Sequence, residues 1–225
     1  MTGYSVVIPA WNAAITLAET IGSVLAQGWA PAEVIVVDDG STDATADVAA
    51  GFGAAVRMIR QDNRGVGVAT NTGLAACGQP VVALVDSDDL WLPDKAARQR
   101  DHLARLPELA ISCTALRLFR ADAAGGRELG PVRPGLLRSS MMFPLAVFAR
   151  VGPLFDPPGG RGDMVDWLAR AREQGVAIEE LPEPLTLRRV RPGSLSSGRD
   201  PALDRGYLLA ARRAMLRARQ DGGTA

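Results

Sequence analysis

The first ninety residues switch repeatedly between two hydrophobic periods. Apolar, mostly β-branched runs at 5–8, 33–37 and 81–85, with an alternating run at 56–60, read as strands. Segments with helical spacing lie between them. Leu17, Ile21, Val24 and Leu25 form one stripe, stopped by Gly28. A second helix takes its cap from 41–43 and ends near Gly51 and Gly53, and a third spans 65–76. This alternation predicts an α/β fold: a Rossmann-like, mostly parallel sheet with helices on both faces.

The pattern loosens after Pro93. A charged helix with an Ala/Leu stripe covers 94–106, a longer strand 109–120, and a turn 121–127 around Gly125 and Gly126. A short helix at 144–150, a loop at 156–162 (DPPGGRG) and a helix at 163–174 stopped by Gly175 follow. Pro182 and Pro184 mark the strand expected at 181–191 as an edge strand. A polar stretch, 191–200, leads to a last helix at 201–219 with Leu203, Tyr207, Leu208, Ala211 and Met215 on one side, and 221–225 read as a disordered tail. With no linker or repeat, residues 1–220 read as one domain, a regular half at 4–105 and an irregular half at 106–220.

Composition narrows the function. A chain of 225 residues with 47% apolar side chains can bury a real core. Its 25 basic and 25 acidic residues balance, so it lacks the chain-wide positive field that nucleic-acid binding uses. Cys77 and Cys113 lie in apolar contexts without CxxC spacing, and a single His leaves little for a zinc site; both read as reduced core thiols. The sequence opens directly into a strand, without a secretory pattern, and no stretch approaches the roughly 20 apolar residues of a membrane helix. The expectation is a soluble, cytoplasmic protein.

The chemistry centres on 81–89, VVALVDSDD, an apolar strand that delivers Asp86, Asp88 and Asp89 to its own end. Carboxylates this close repel one another unless a cation or donor groups hold them. Mg²⁺ or Mn²⁺ bound by Asp88 and Asp86 would do so, since hard ions bridge one or two carboxylates to substrate phosphates. An acidic helix start is the plainer alternative. In a parallel sheet this strand end meets two others, Pro9, Ala10, Trp11 and Asn12 after the first strand and Asp39 and Ser41 after the second, along one rim. Asp39 suits the imide N–H of a uracil-like base, and Trp11 either flanks that base or belongs to the core. Gly65 opens a loop that lets backbone approach a ligand, and Asn71 is expected to turn toward the carboxylates or to lie on a solvated face. Arg189 and Arg191 share a strand face suited to a diphosphate; the alternative is a solvated basic edge.

The segments VVIPAWN, EVIVVDDGSTD, NRGVGVATNTGLAACG and VALVDSDDLWLPDK, in this order, resemble the nucleotide-sugar-binding half of the family 2 glycosyltransferases of the GT-A fold. The resemblance covers roughly 4–105 and continues more loosely beyond. It implies inverting transfer from a nucleotide-sugar donor, UDP-linked, to a carbohydrate, lipid-linked or peptide acceptor. Pro9 to Trp11 and Asp39 would line the base pocket, Asp86 would face the ribose, Ser87 beside it would belong to the donor site, and Asp88 would carry the metal. The family's catalytic helix opens with Glu-Asp, whereas this chain reads Gly162-Asp163-Met164-Val165-Asp166. Asp163, at the helix start after a glycine-rich loop, is the expected base, and Asp166, three residues on and on the same face, the reserve. Helix charge compensation is the alternative for both. A nucleotide-sugar-binding protein without transferase activity is the main rival. A sugar nucleotidyltransferase is a weaker one, because Pro9-Ala10-Trp11-Asn12 lacks a glycine-rich basic turn.

Overall fold

The computed structural model describes residues 3–121, 126–157, 160–191 and 201–221. The parts of the expected turn, loop, polar stretch and tail at 122–125, 158–159, 192–200 and 222–225 lie outside the described residues.

Strands β1 (Tyr4–Ala10), β2 (Glu33–Asp39), β3 (Arg57–Gln61) and β4 (Val81–Leu84) lie parallel in the order β3-β2-β1-β4. Helices α1 (Leu17–Leu25), α2 (Thr45–Ala50) and α3 (Val66–Ala75) connect them. Strand alternation decides which helix each side chain meets. Val6, Ile8, Val34 and Val36 pack with Leu17, Ile21 and Val24 of α1 on one face. On the other face Val7 packs with Leu74, and Ile35 and Val37 with Ala69, all against α3. Gly73 permits this close packing, because a Cβ there would stand 2.3 Å from Val7 Cγ1.

The second half extends the same sheet as β4-β8-β6-β9-β5, with β7 paired to β6. Its strands are β5 (Leu90–Trp91), β6 (Ala110–Ala121), β7 (Arg127–Arg133), β8 (Met142–Pro144) and β9 (Ala177–Arg189). Its helices are α4 (Lys95–Leu103), α5 (Leu145–Val151), α6 (Asp163–Glu173) and α7 (Pro201–Asp221). Strands β1, β2, β3, β4, β6 and β9 run one way and β5, β7 and β8 the other, so the mostly parallel α/β sheet is present.

Two features of the second half go beyond the expected elements. Strand β9 starts at Ala177 and lies between β6 and β5, but β5 pairs with it at Thr186 and Leu187 alone among the described residues, so the stretch with Pro182 and Pro184 borders β6 on one side only, as expected of an edge. Its prolines are tolerated because the β6–β9 register shifts on both sides of Ala115, whose partner is Pro184, and a bulge absorbs the missing N–H. The apolar side of α7 faces outward at Leu208 and Met215. Among the described positions of α7, Gly206 and Ala210 are the buried ones, while Leu208 is 71% and Met215 59% exposed.

Burial leaves Cys77 raised to about 11 and Cys113 to about 12, so both stay thiols at neutral pH. Lys95 is buried with no carboxylate partner among the described residues: its Nζ donates to Gln99 Oε1 at 2.6 Å and lies 4.1 Å from the Trp91 ring centre. Burial pulls its ammonium down to about 7. No helix among the described residues is long and apolar enough to cross a membrane.

Candidate active site

The carboxyl ends of the parallel strands open into a cavity of about 1030 Å³. Pro9, Ala10, Trp11 and Asn12 line it after β1, Asp39 at the end of β2, Gly65 before α3, and Asp86, Ser87 and Asp88 after β4. Arg189 and Arg191 come from the end of β9, and Asp163 from the first turn of α6. Trp11 is 57% exposed, a cavity wall and not a core residue.

Hydrogen bonds between neighbouring loops hold this rim. Asn12, at φ 48°, donates its N–H to Ser41 Oγ at 2.9 Å and accepts the Thr42 N–H on its side-chain oxygen at 2.9 Å. Ser41 is thereby a brace at the edge of a smaller recess shared with Arg60 and Gln61. The Asp39 carboxylate accepts from Gln61 Nε2 at 2.7 Å and from the N–H groups of Arg64 and Gly65 at 3.0 and 2.8 Å. Gly65 has φ +92°, and a Cβ there would meet the Asp156 carboxylate at 1.7 Å, so the loop closes only with glycine.

The acidic turn after β4 is pinned from below. Ser139 Oγ accepts the Asp86 N–H at 3.0 Å and donates to Asp89 Oδ2 at 2.6 Å, while Asp89 Oδ1 accepts the Arg189 N–H at 2.9 Å. Burial, then the charges of Asp88 and Asp86, push the Asp89 carboxyl well up. Asp89 therefore ties β9 to the turn, while Asp86 and Asp88 face the cavity. Burial and then the Asp86 charge likewise raise Asp88. Arg191 Nε stands 3.6 Å from Asp88 Oδ2. The Arg189 guanidinium is committed to the Asp88 carbonyl at 2.8 Å and to Glu19.

Arg138 joins the two sides of the cavity. Buried in the 3-10 turn 138–140, it donates Nη1 to Asp86 Oδ1 at 2.6 Å and Nη2 to Asp163 Oδ2. Burial opposes its charge, but Asp163 and Asp86 outweigh that and hold it firmly protonated. Asp156 sits close by at the start of α3 and accepts the Gly67 N–H at 3.3 Å; burial and the Asp163 charge raise its carboxyl. Sequence reasoning placed Arg138, Ser139 and Asp156 in segments that follow the family's downstream order but gave them no role in the site. The one available signal was an Arg-Ser-Ser set between apolar residues 136–137 and 141–143, and only the fold shows what it meets.

Two expected residues lie elsewhere. Asn71 Nδ2 donates to the Leu154 carbonyl at 2.9 Å and its Oδ1 accepts the Leu154 N–H at 2.8 Å, so it anchors the segment before α6 and does not face the carboxylates. Asp166 is fully buried among Arg170, Arg213 and Arg217 at 3.0, 3.1 and 3.0 Å and is absent from the cavity lining, which removes it as the reserve base. Burial works against its charge, yet Arg217, Arg213 and Arg170 prevail and hold its carboxyl below the usual range.

The donor set suits a hard divalent ion. Asp86 and Asp88 offer carboxylate oxygens; burial first and then the Asp86 charge raise Asp88, and such an ion would offset both. Among the described residues no group of three or more His, Cys, Asp or Glu is arranged to hold a metal. An ion bound here would complete its shell with substrate phosphate oxygens and water.

The fold is that of the GT-A glycosyltransferases. The chain superposes on S. aureus TarS, solved in complex with UDP-GlcNAc, with a TM-score of 0.74 at 17% identity, covering 95% of this chain and 66% of that one. A Pyrobaculum calidifontis mannosyltransferase, solved with GDP-Man and Mn²⁺, gives a TM-score of 0.67 at 19% identity over 94% of this chain and 69% of that one. Residues 5–140 match glycosyl transferase family 2, more than half of the chain, and the chain belongs to that family. The succinoglycan biosynthesis protein ExoO of Rhizobium meliloti is 36% identical over 148 residues, 61% of this chain and 42% of ExoO. The chain spans 30% to 53% of the length of the first curated relatives it matches.

Proposed function

We propose that this chain transfers a sugar from a UDP-sugar to an acceptor nucleophile with inversion, and that Asp163 is the base. The supporting observation is the placement of Asp163 in the same cavity as Asp86 and Asp88 but on a different element, with Arg138 fixing the spacing between them. A sugar held with its diphosphate at the Asp88 turn would present the opposite face of its anomeric carbon to α6. The acceptor oxygen forms the new bond to that carbon, the bond to the phosphate oxygen breaks, and the acceptor proton passes to Asp163. Arg138 occupies Asp163 Oδ2 and leaves Oδ1 for the acceptor hydroxyl. Mg²⁺ or Mn²⁺ at Asp88 and Asp86 would supply charge neutralisation for the departing diphosphate. Arg191, partly exposed beside Asp88, supplies further positive charge there.

Asp39 favours uracil. Its Oδ1 accepts two hydrogen bonds and its Oδ2 one, which leaves a site on Oδ2 for a single ring N–H. Uracil offers one such donor, whereas guanine offers two side by side. Trp11, on the cavity wall, would cover the base.

A binding protein without transferase activity is the second reading, favoured by the Arg138 hold on the candidate base. Release of UDP from UDP-sugars in the presence of pooled acceptors, for wild type and Asp163→Asn, separates the two. Release that the substitution abolishes supports transfer, and binding of the donor with no release for any acceptor supports the second reading.

A further inference from the structure

Helix α7 presents its apolar stripe to solvent. At about 3.6 residues per turn, Leu208, Ala211, Met215 and Ala218 fall along one side, and Arg205, Arg212 and Arg219 form a row beside them. Leu208 is 71% and Met215 59% exposed, and Leu216, across the arginine row, is 49% exposed. Arg205, Arg212 and Arg219 are exposed and make no ion pair among the described residues, whereas Arg213 and Arg217, on the opposite face, are engaged by Asp166 and Glu173. In a chain whose 25 basic and 25 acidic residues balance, this row is a local excess of positive charge. The stripe is also continuous with the cavity mouth. Tyr207, on the flank of α7, lines the cavity with Leu136 and Val165, and these three are 45%, 46% and 48% exposed.

We propose that α7 docks on an anionic lipid bilayer, with Leu208 and Met215 entering the headgroup boundary and Arg205, Arg212 and Arg219 meeting lipid phosphates. Charge complementarity selects this occupant. Pairing α7 with α7 of a second copy would bring two arginine rows together, and a neutral apolar partner would leave three guanidinium groups without counter-charge. In this orientation the cavity mouth faces the bilayer. On the glycosyltransferase reading above, an acceptor held at that surface enters past Leu136, Val165 and Tyr207.

Co-sedimentation of the full chain with mixed phosphatidylglycerol and phosphatidylcholine vesicles, against pure phosphatidylcholine vesicles, tests the docking without nucleotide or sugar. Each arginine at an anionic surface strengthens binding about fivefold, so the mixed vesicles are expected to bind about a hundredfold more tightly at low salt and to lose that advantage at high salt. Leu208→Glu, and the double change Arg212→Glu with Arg219→Glu, are each expected to abolish binding at an unchanged melting temperature, since all three side chains are exposed. Absence of binding to anionic vesicles, or binding that survives both variants, overturns the proposal. A dimer in sedimentation that Leu208→Glu dissociates also overturns it and assigns the face to a second copy. A failed UDP-release assay counts against the transferase reading and leaves the vesicle result standing.

Discussion

The two halves of the sheet build their sides of the cavity by different means. The donor side rests on parallel strands whose ends are stitched by backbone and short side-chain hydrogen bonds, such as Asn12 to Ser41 and Asp39 to the N–H groups of Arg64 and Gly65. Regular strands put these loops in place almost automatically. The acceptor side rests on the long parallel pair β6–β9 with short antiparallel strands around it, and on ion pairs with a buried carboxylate or guanidinium, Arg138 with Asp86 and Asp163, and Asp166 with three arginines. Buried charge pairs fix geometry but tolerate the loss of a partner poorly. The donor side should therefore answer substitution mainly through binding, and the acceptor side through both catalysis and stability.

Asp163→Asn offers the sharpest contrast. Loss of the base is expected to lower turnover by about 10²–10⁴-fold, while UDP affinity changes little because Arg138 keeps Asp86. Initial-rate kinetics beside UDP titration measures both, and an equal fall in the two would merge the roles of the two sides.

Asp166→Ala is expected to spare the chemistry and cost about 2–3 kcal/mol of stability, less than a fully buried pair because Arg213 and Arg217 reach water. The lowered Asp166 carboxyl also fixes a sign. Its contribution is present above the unfolded carboxylate pKa and is lost as pH falls through the folded one. Acid titration of urea midpoints should show that loss in wild type and not in the variant. Asn71→Ala should cost about 1–2 kcal/mol by stranding the Leu154 N–H and carbonyl, measured by the same unfolding curves.

The most gradual effect, spread over several pH units, concerns Lys95 beside Trp91. Its ammonium is down at about 7 in the fold and near its ordinary value when unfolded, so between these the unfolded chain binds the extra proton. Wild type should gain stability relative to Lys95→Met as pH rises from about 7 to 10, by up to about 1.4 kcal/mol per pH unit. Cys113 and the Trp91 face are the other groups near this charge, and both are retained in the comparison.

The same contrast explains what could be read from the sequence. β1 to β4 and their helices declare themselves through β-branched runs and helical stripes, and the cavity residues from Pro9 to Asp88 follow from the parallel arrangement. β5 and β8 are two and three residues long, and β7 is almost wholly exposed, so none carries a hydrophobic period. Arg138 and Asp156 acquire partners only across long sequence separations, which no local pattern encodes. Asp163 and Asp166 look equivalent in sequence, three apart on one helix. Their difference comes from α7, whose arginines reach Asp166 and leave Asp163 to the cavity.

The central claim is that the β4 carboxylates and a divalent ion together grip the donor diphosphate. Calorimetric titration of UDP with Mn²⁺ and with chelator, on wild type and Asp88→Asn, tests it most directly. Binding at least about tenfold tighter with Mn²⁺, and an advantage lost in the variant, is the predicted result. Equal affinity with and without the ion, unchanged by the substitution, would contradict the account.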